Sequence, residues 1–116
     1  APGAIAAVEK AAKTATTAVV RFRAKLKAAE TALAVGYPDL ARAQLDGLDR
    51  VAQTHHLEEW DPELVVQLYA LLYRCQAGLG YFQSESPEQR ARVASTWERL
   101  CQLDGALALR TLLELG

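Results

Sequence analysis

The chain has no run of 18 or more apolar residues, no methionine and only two histidines among its 116 residues. Without a long apolar run the sequence predicts no membrane-spanning helix and no direct insertion into a bilayer. The first ten residues, APGAIAAVEK, lack the basic stretch that opens a signal peptide. Because methionine is absent throughout, we expect the chain to be a fragment of a longer protein.

Cysteine is also scarce, and the charge is balanced. Cys75 and Cys101 both fall on apolar helical stripes, so we expect buried free thiols in a reducing compartment; a disulfide or redox role is the alternative. A net charge of −1 supplies no field for nucleic acid. Residues 1–30 carry six Lys/Arg against two Glu, whereas the rest carries seven Arg against twelve Asp/Glu. This asymmetry fits either a solvated basic helix face or head-to-tail pairing between copies.

Helix-forming residues dominate and alternating β-branched runs are missing, which predicts an all-α bundle of about five helices. The first helix has apolar residues at heptad spacing up to Leu33 and ends at Gly36. Threonines at 14, 16 and 17 weaken it, so residues 1–15 are either a linker or the start of this long helix. Such a seam packs either on helices of its own chain or on another subunit.

Proline marks the next three helix starts. Each proline follows a potential cap and precedes an acidic residue, a pattern that suits the first helical position and the helix dipole. Ser86 and Gln89 add the spacing of a capping box. The three sites are Tyr37-Pro38-Asp39, Asp61-Pro62-Glu63 and Ser86-Pro87-Glu88. We therefore expect helices from about 38, 62 and 87, and Asp104 predicts a last, leucine-rich helix over 105–115.

The segment 55–62, HHLEEWDP, concentrates the ionisable side chains. His55 with Glu58, and His56 with Glu59, have a spacing that could place a metal or acid/base pair on one helix face. A zinc site needs three or four ligands, and the chain has no HExxH or CxxC motif. We therefore favour a joint between two helices, with no catalytic, cofactor or metal residues. In it, Leu57 is anchored in the core, Asp61 is the cap, and Trp60 packs on Val65 as a hydrophobic staple.

The predicted joint and core anchors share apolar stripes or cap positions. They are Leu57, Trp60, Asp61, Pro62, Leu64, Leu72, Cys75, Trp97, Leu100 and Cys101. The stripe on the helix after Pro62 is wide, so we expect that helix to be central.

Three stretches resemble the C-terminal domain of the TssA proteins of bacterial type VI secretion, the ImpA/VasJ group. They are His55-x-Leu57-x-x-Trp60-x-Pro62-x-Leu64 with Leu71-Leu72-Tyr73-x-Cys75, the turn 34–41, and the segment 100–109. The resemblance covers about residues 18–113, and residues 1–15 lie outside it. It assigns residues 16–116 to a C-terminal helical oligomerisation domain.

The resemblance implies a non-enzymatic protein with TPR-like helical hairpins that assembles into stacked, dihedrally symmetric rings in the bacterial cytoplasm. It implies a homo-oligomer that works with baseplate, sheath, tail-tube and membrane-complex proteins, without a cofactor. From the heptad seam and the last helix, the candidate interface is Val19, Phe22, Leu26, Leu33, Leu107, Leu109, Leu112 and Leu113. The alternatives are a monomeric TPR-like peptide-binding module and a small helical enzyme or metal protein centred on residues 55–59.

Overall fold

The computed structural model describes the backbone of residues 2–115 and the side chains of residues 18–115. Within those residues all regular structure is helical, which confirms the all-α fold. The elements are α1 Pro2–Ala34, α2 Pro38–Thr54, α3 Leu57–Trp60, α4 Pro62–Gly78, a 3-10 turn Tyr81–Gln83, α5 Pro87–Leu103 and α6 Gly105–Leu115. The one-turn helix α3 lies inside the predicted joint, and the other five helices are those expected from the sequence.

Side-chain caps fix the starts of α4 and α5. Asp61 Oδ1 accepts the backbone N–H of Leu64 at 3.3 Å, and Ser86 Oγ accepts the backbone N–H of Gln89 at 3.4 Å. Each bond satisfies one of the amide groups that the first helical turn leaves without a partner. The proline after each cap then starts the helix, as the sequence predicts.

The turn between α1 and α2 depends on Gly36. This residue has a φ of 93°, the left-handed conformation that glycine adopts without steric cost. The N–H of Tyr37 donates to the carbonyl of Ala32 at 2.8 Å, and that of Gly36 donates to Leu33 at 3.2 Å. These two bonds form a Schellman motif, which ends α1 and reverses the chain. As a result α2 packs back along α1.

Helix α4 lies at the centre of the bundle. It contacts each of the other five helices, and consecutive long helices also pack on one another. Almost half of its residues are buried, which confirms the inference drawn from its wide apolar stripe. The buried residues of α4 are Leu64, Val65, Leu68, Tyr69, Leu72, Tyr73, Cys75 and Gln76.

The described part of the α1 seam faces the core of its own chain. Phe22, Leu26 and Ala29 are buried, and Val19 and Leu33 are partly buried against the same cluster. Phe22 and Leu26 were expected at an interface between subunits, and this expectation is wrong. Their side chains pack on other helices of the same chain, because the Gly36 turn brings α2 alongside. The seam positions before residue 18 lie outside the described side chains.

The two cysteines differ in burial. Cys75 is buried, and burial raises the pKa of its thiol to about 11. Cys101 is exposed, so the expectation that both thiols are buried is wrong for this residue. Its neighbour Leu100 fills the inward position, and one residue further along a helix is about 100° round the axis.

Truncating Leu26 should destabilise the fold much more than truncating an exposed α1 residue. Leu26→Ala leaves a cavity in the core, so we expect the free energy of unfolding to fall by about 2 to 4 kcal/mol. Val20→Ala, on the same helix but 59% exposed, should change it by less than about 0.5 kcal/mol. Urea denaturation followed by circular dichroism measures both. Equal losses for the two variants would contradict the placement of Leu26.

Candidate interaction surface

The joint between α2 and α4 is compact because three backbone features close it. His56 has a φ of 50°, in the left-handed region, and it precedes the single turn of α3. The N–H of Glu59 donates to the carbonyl of His56 at 3.0 Å, and the N–H of Asp61 donates to Leu57 at 2.8 Å. Of the joint's side chains, Leu57 is the one that is buried in the core cluster. The chain therefore reverses around one apolar anchor.

Two acidic side chains of the joint form ion pairs with other helices. Asp61 accepts from Arg23 of α1 at 3.0 Å, while its other oxygen caps α4. Glu58 pairs with Arg99 of α5. Exposed pairs of this kind contribute less than about 1 kcal/mol each, so their main effect is to fix orientation. Asp61 and Glu58, two of the ionisable side chains concentrated in this segment, therefore link the joint to α1 and α5.

Both histidines of the joint are exposed. Across the described residues, no group of three or more His, Cys, Asp or Glu side chains lies close enough together to hold a metal ion. A search of the described helices for a stretch long and apolar enough to cross a bilayer also finds no candidate.

Trp60 is the clearest departure from the predicted joint. It was expected to pack on Val65, but it is 73% exposed, while Val65 is buried by other contacts. The one-turn helix α3 was not expected from the sequence, and of its two apolar residues only Leu57 is buried in the core.

The remaining predicted anchors vary in burial. Leu64, Leu72, Cys75 and Leu100 are buried in one cluster, and Trp97 packs partly buried against it. Asp61 is half-buried at its cap, whereas Pro62 and Cys101 are exposed.

Helix α6 presents two different sides. Ala108 and Thr111 are buried against the bundle, and Leu107 is half-buried. Leu109, Leu112 and Leu113 are exposed, and their spacing of three and four residues places them on one side of the helix. These three leucines are the exposed members of the eight predicted interface residues, so their side chains can contact another molecule.

A cavity of about 350 Å³ adjoins these leucines. Leu112 lines it together with Tyr73, Phe82, Val93 and Trp97. The ring of Trp97 lies 5.2 Å from that of Tyr73, and the ring of Phe82 meets Tyr73 edge-on at 5.5 Å, so the aromatic wall is well packed.

We call the surface made by Phe82, Trp97, Leu109, Leu112 and Leu113 the α6 face. Phe82 is 49% exposed and sits in the 3-10 turn after α4. The segment 80–86, GYFQSES, has the composition of a loop, and the expected interface did not include Phe82. An aromatic residue in a polar loop was the only available signal. Leu112 belongs both to the exposed leucines of α6 and to the lining of the cavity, and clusters of exposed apolar residues of this kind mark interaction sites.

A buried hydrogen bond joins α2 to α4 on another side of the bundle. The hydroxyl of Tyr69 donates to Asp49 Oδ1 at 2.5 Å. Burial and this bond raise the pKa of the Tyr69 phenol to about 12, so the hydroxyl remains a donor in neutral solution. Both residues line a polar groove that is bounded by α5.

Comparison with known proteins identifies the class of protein. A sequence model of a family described as "Type VI secretion, EvfE, EvfF, ImpA, BimE, VC_A0119, VasJ" matches residues 3–72. The matched stretch holds α1, α2, the joint and most of α4, and it is more than half of the chain. Searches of curated proteins and of solved structures give no significant match.

These findings place the chain among proteins of type VI secretion. More narrowly, the chain belongs to the ImpA/VasJ family. The matched stretch includes residues 3–15, for which the sequence analysis had found no resemblance, and it stops before the downstream segment 100–109. The boundary at residue 15 remains a prediction.

The two apolar residues of the joint should respond differently to truncation. Leu57→Ala should lower the free energy of unfolding by about 2 to 3 kcal/mol, because it removes the buried anchor. Trp60→Ala should change it by less than about 0.5 kcal/mol, because the indole is exposed. Thermal unfolding of both variants tests the pair. A larger loss from Trp60→Ala would restore the predicted staple.

The Tyr69–Asp49 bond should give stability a defined pH dependence. The pKa of Tyr69 is raised in the folded state, so its contribution is complete below the unfolded pKa of about 10 and is lost as the pH rises towards 12. The stability difference between the wild type and Tyr69→Phe should be constant from pH 7 to about 10 and shrink above it. Urea titrations at several pH values measure this difference, and a decline beginning below pH 9 would contradict it.

Proposed function

We propose that this chain is a non-enzymatic scaffold domain that acts by binding further copies of itself. The observation that carries the proposal is the α6 face. Three exposed leucines lie on one side of α6, whose other side is already buried, and Phe82 and Trp97 from neighbouring elements extend this apolar surface. Burial of such a surface against an identical one would stabilise an assembly at about 25 cal/mol per Å² of apolar area.

Membership of the type VI secretion family supports an assembly role. Within that role, we propose that the domain forms stacked rings with dihedral symmetry, as the resemblance of residues 18–113 implies. Stacked rings need two different contacts: one between neighbours within a ring and one between the rings. The α6 face supplies one apolar contact. The uneven charge, basic up to residue 30 and acidic beyond it, favours a second, head-to-tail contact.

The same proposal places the protein in the bacterial cytoplasm, next to the secretion apparatus. There the rings would organise the baseplate, the tail tube and the sheath, and they would contact the membrane complex through the longer protein. We propose no catalytic residue and no cofactor. Of the four residues that suggested an enzyme or metal site, His55, His56, Glu58 and Glu59, Glu58 is engaged in an ion pair with Arg99 of α5.

An aspartate in the α6 face should break self-association. Leu109→Asp places a charge at a position that is 56% exposed in the single chain, so the fold should tolerate it. Within an assembled interface the same charge would be desolvated, which is strongly unfavourable. We expect sedimentation velocity at micromolar concentration to show an oligomer for the wild type and a monomer for Leu109→Asp.

Leu40→Asp is the matched control, because Leu40 is 53% exposed but lies on α2, away from the α6 face. It should sediment like the wild type. Circular dichroism should show all three proteins folded. A monomeric wild type, or an intact oligomer in folded Leu109→Asp, would refute the role of the α6 face.

A further inference from the structure

Gln76 is a buried polar side chain whose acceptor has no partner. It lies on α4, is 3% exposed, and none of the described side chains or backbone groups donates to its Oε1 atom. A buried acceptor without a donor lowers stability, and native proteins keep few of them. The apolar stripe of α4 would accommodate leucine or methionine here without that loss. A donor from outside the chain would account for glutamine at this position.

Gln76 lines the polar groove, which runs between α2, α4 and α5 and has a volume of about 510 Å³. A second cavity of about 240 Å³ continues it towards the joint, because Gln53, Tyr69 and Arg99 line both. Together they form an elongated depression across three helices. An extended polypeptide segment could follow this depression across the three helices.

The two walls of the groove carry opposite charges. Asp46 and Asp49 lie on α2, and Arg92 and Arg99 lie on α5. Asp46 is already paired with Arg42 at 2.7 Å, so Asp49 is the carboxylate of this wall that can pair with a ligand. Asp49 accepts from Tyr69 at 2.5 Å and from Gln53 at 3.1 Å, and both bonds end on Oδ1. The second carboxylate oxygen of Asp49, Oδ2, takes part in neither of these two bonds.

The arginines of the opposite wall also retain donors. Arg92 pairs with Glu88 at 3.3 Å, and Arg99 pairs with Glu58, each through a single NH2 group. A guanidinium group has five N–H donors, so one such pair leaves others for a second acceptor. A ligand of one charge would be repelled by one of the two walls, and a ligand of both charges is attracted by both.

We propose that the polar groove binds a polypeptide segment that carries both a basic and an acidic side chain. The basic group lies against the second carboxylate oxygen of Asp49, the acidic group lies against Arg92 and Arg99, and an N–H of the segment donates to Gln76 Oε1. Nucleic acid does not fit, because its phosphates would meet the two aspartates.

This binding site goes beyond self-association and uses a different side of the chain. The groove is lined by α5 residues 92, 95, 96 and 99, whereas the cavity of the α6 face is lined by 90, 93, 94 and 97. With 3.6 residues per turn these two sets lie on roughly opposite sides of α5. A variant in the groove should therefore leave the oligomeric state unchanged.

The test is selection from a library of random nine-residue peptides displayed on phage, with the 116-residue chain as bait. We expect the selected peptides to combine Lys or Arg with Asp or Glu at a fixed spacing. The best one is then synthesised with blocked ends, and its affinity is measured by calorimetry.

Gln76→Met should weaken binding of this peptide at least tenfold, and Asp49→Asn should do the same. Gln67→Met is the matched control, since Gln67 is exposed on the same helix, and it should bind like the wild type.

Stability separates a binding role for Gln76 from a structural one. Methionine has a similar volume and removes the unpaired acceptor, so the thermal midpoint of Gln76→Met should equal or exceed that of the wild type. Sedimentation should be the same for both. The proposal is overturned if the wild type and Gln76→Met bind the peptide with equal affinity, or if the selected peptides lack paired charges. It is also overturned if the thermal midpoint of Gln76→Met is lower than that of Gln67→Met.

Discussion

Burial of the wide apolar stripe of α4 is the constraint on which the other helices depend. Each of them covers part of this helix, and each connection is short enough to leave its helix in contact with α4. Because Leu64, Leu68 and Leu72 are buried along its length, α1, α2 and α5 have little freedom to shift without exposing apolar surface. The turns at Gly36 and at the joint then set the direction from which each helix approaches.

The sequence was sufficient for the features that local chemistry determines. The starts at Pro38, Pro62 and Pro87 were predictable because a proline and the acid after it act within one turn, and side-chain caps add to them at Pro62 and Pro87. The central position of α4 was predictable from the width of its apolar stripe. Which surface each residue faces was less predictable. Trp60 and Cys101 were placed inside by spacing alone. Trp60 is instead exposed on the one-turn helix α3, and Cys101 lies one position, about 100°, round α5 from the buried Leu100.

The predicted interface between subunits shows the same limit of reasoning from sequence spacing. A heptad seam shows that a helix has a partner, but not whether the partner belongs to the same chain. Phe22 and Leu26 therefore could not be separated from Leu109 and Leu113 by periodicity. The Gln76 acceptor and the Tyr69–Asp49 bond lay beyond sequence reasoning altogether, since both depend on contacts between distant positions. Family membership supplies the type VI context, and the exposed leucines form part of the surface that we propose for self-association.

The contrasting settings of the two tryptophans have a practical consequence for spectroscopy. Trp60 stands in solvent at the joint, and Trp97 is half-buried against Tyr73 on the α6 face. Indole emission moves to shorter wavelength when water is excluded, so each ring reports on its own surroundings. Covering the α6 face would shift the emission of Trp97 and leave that of Trp60 open to soluble quenchers. The chain thus carries two intrinsic fluorophores that distinguish contact at α6 from contact at the joint, without any added label.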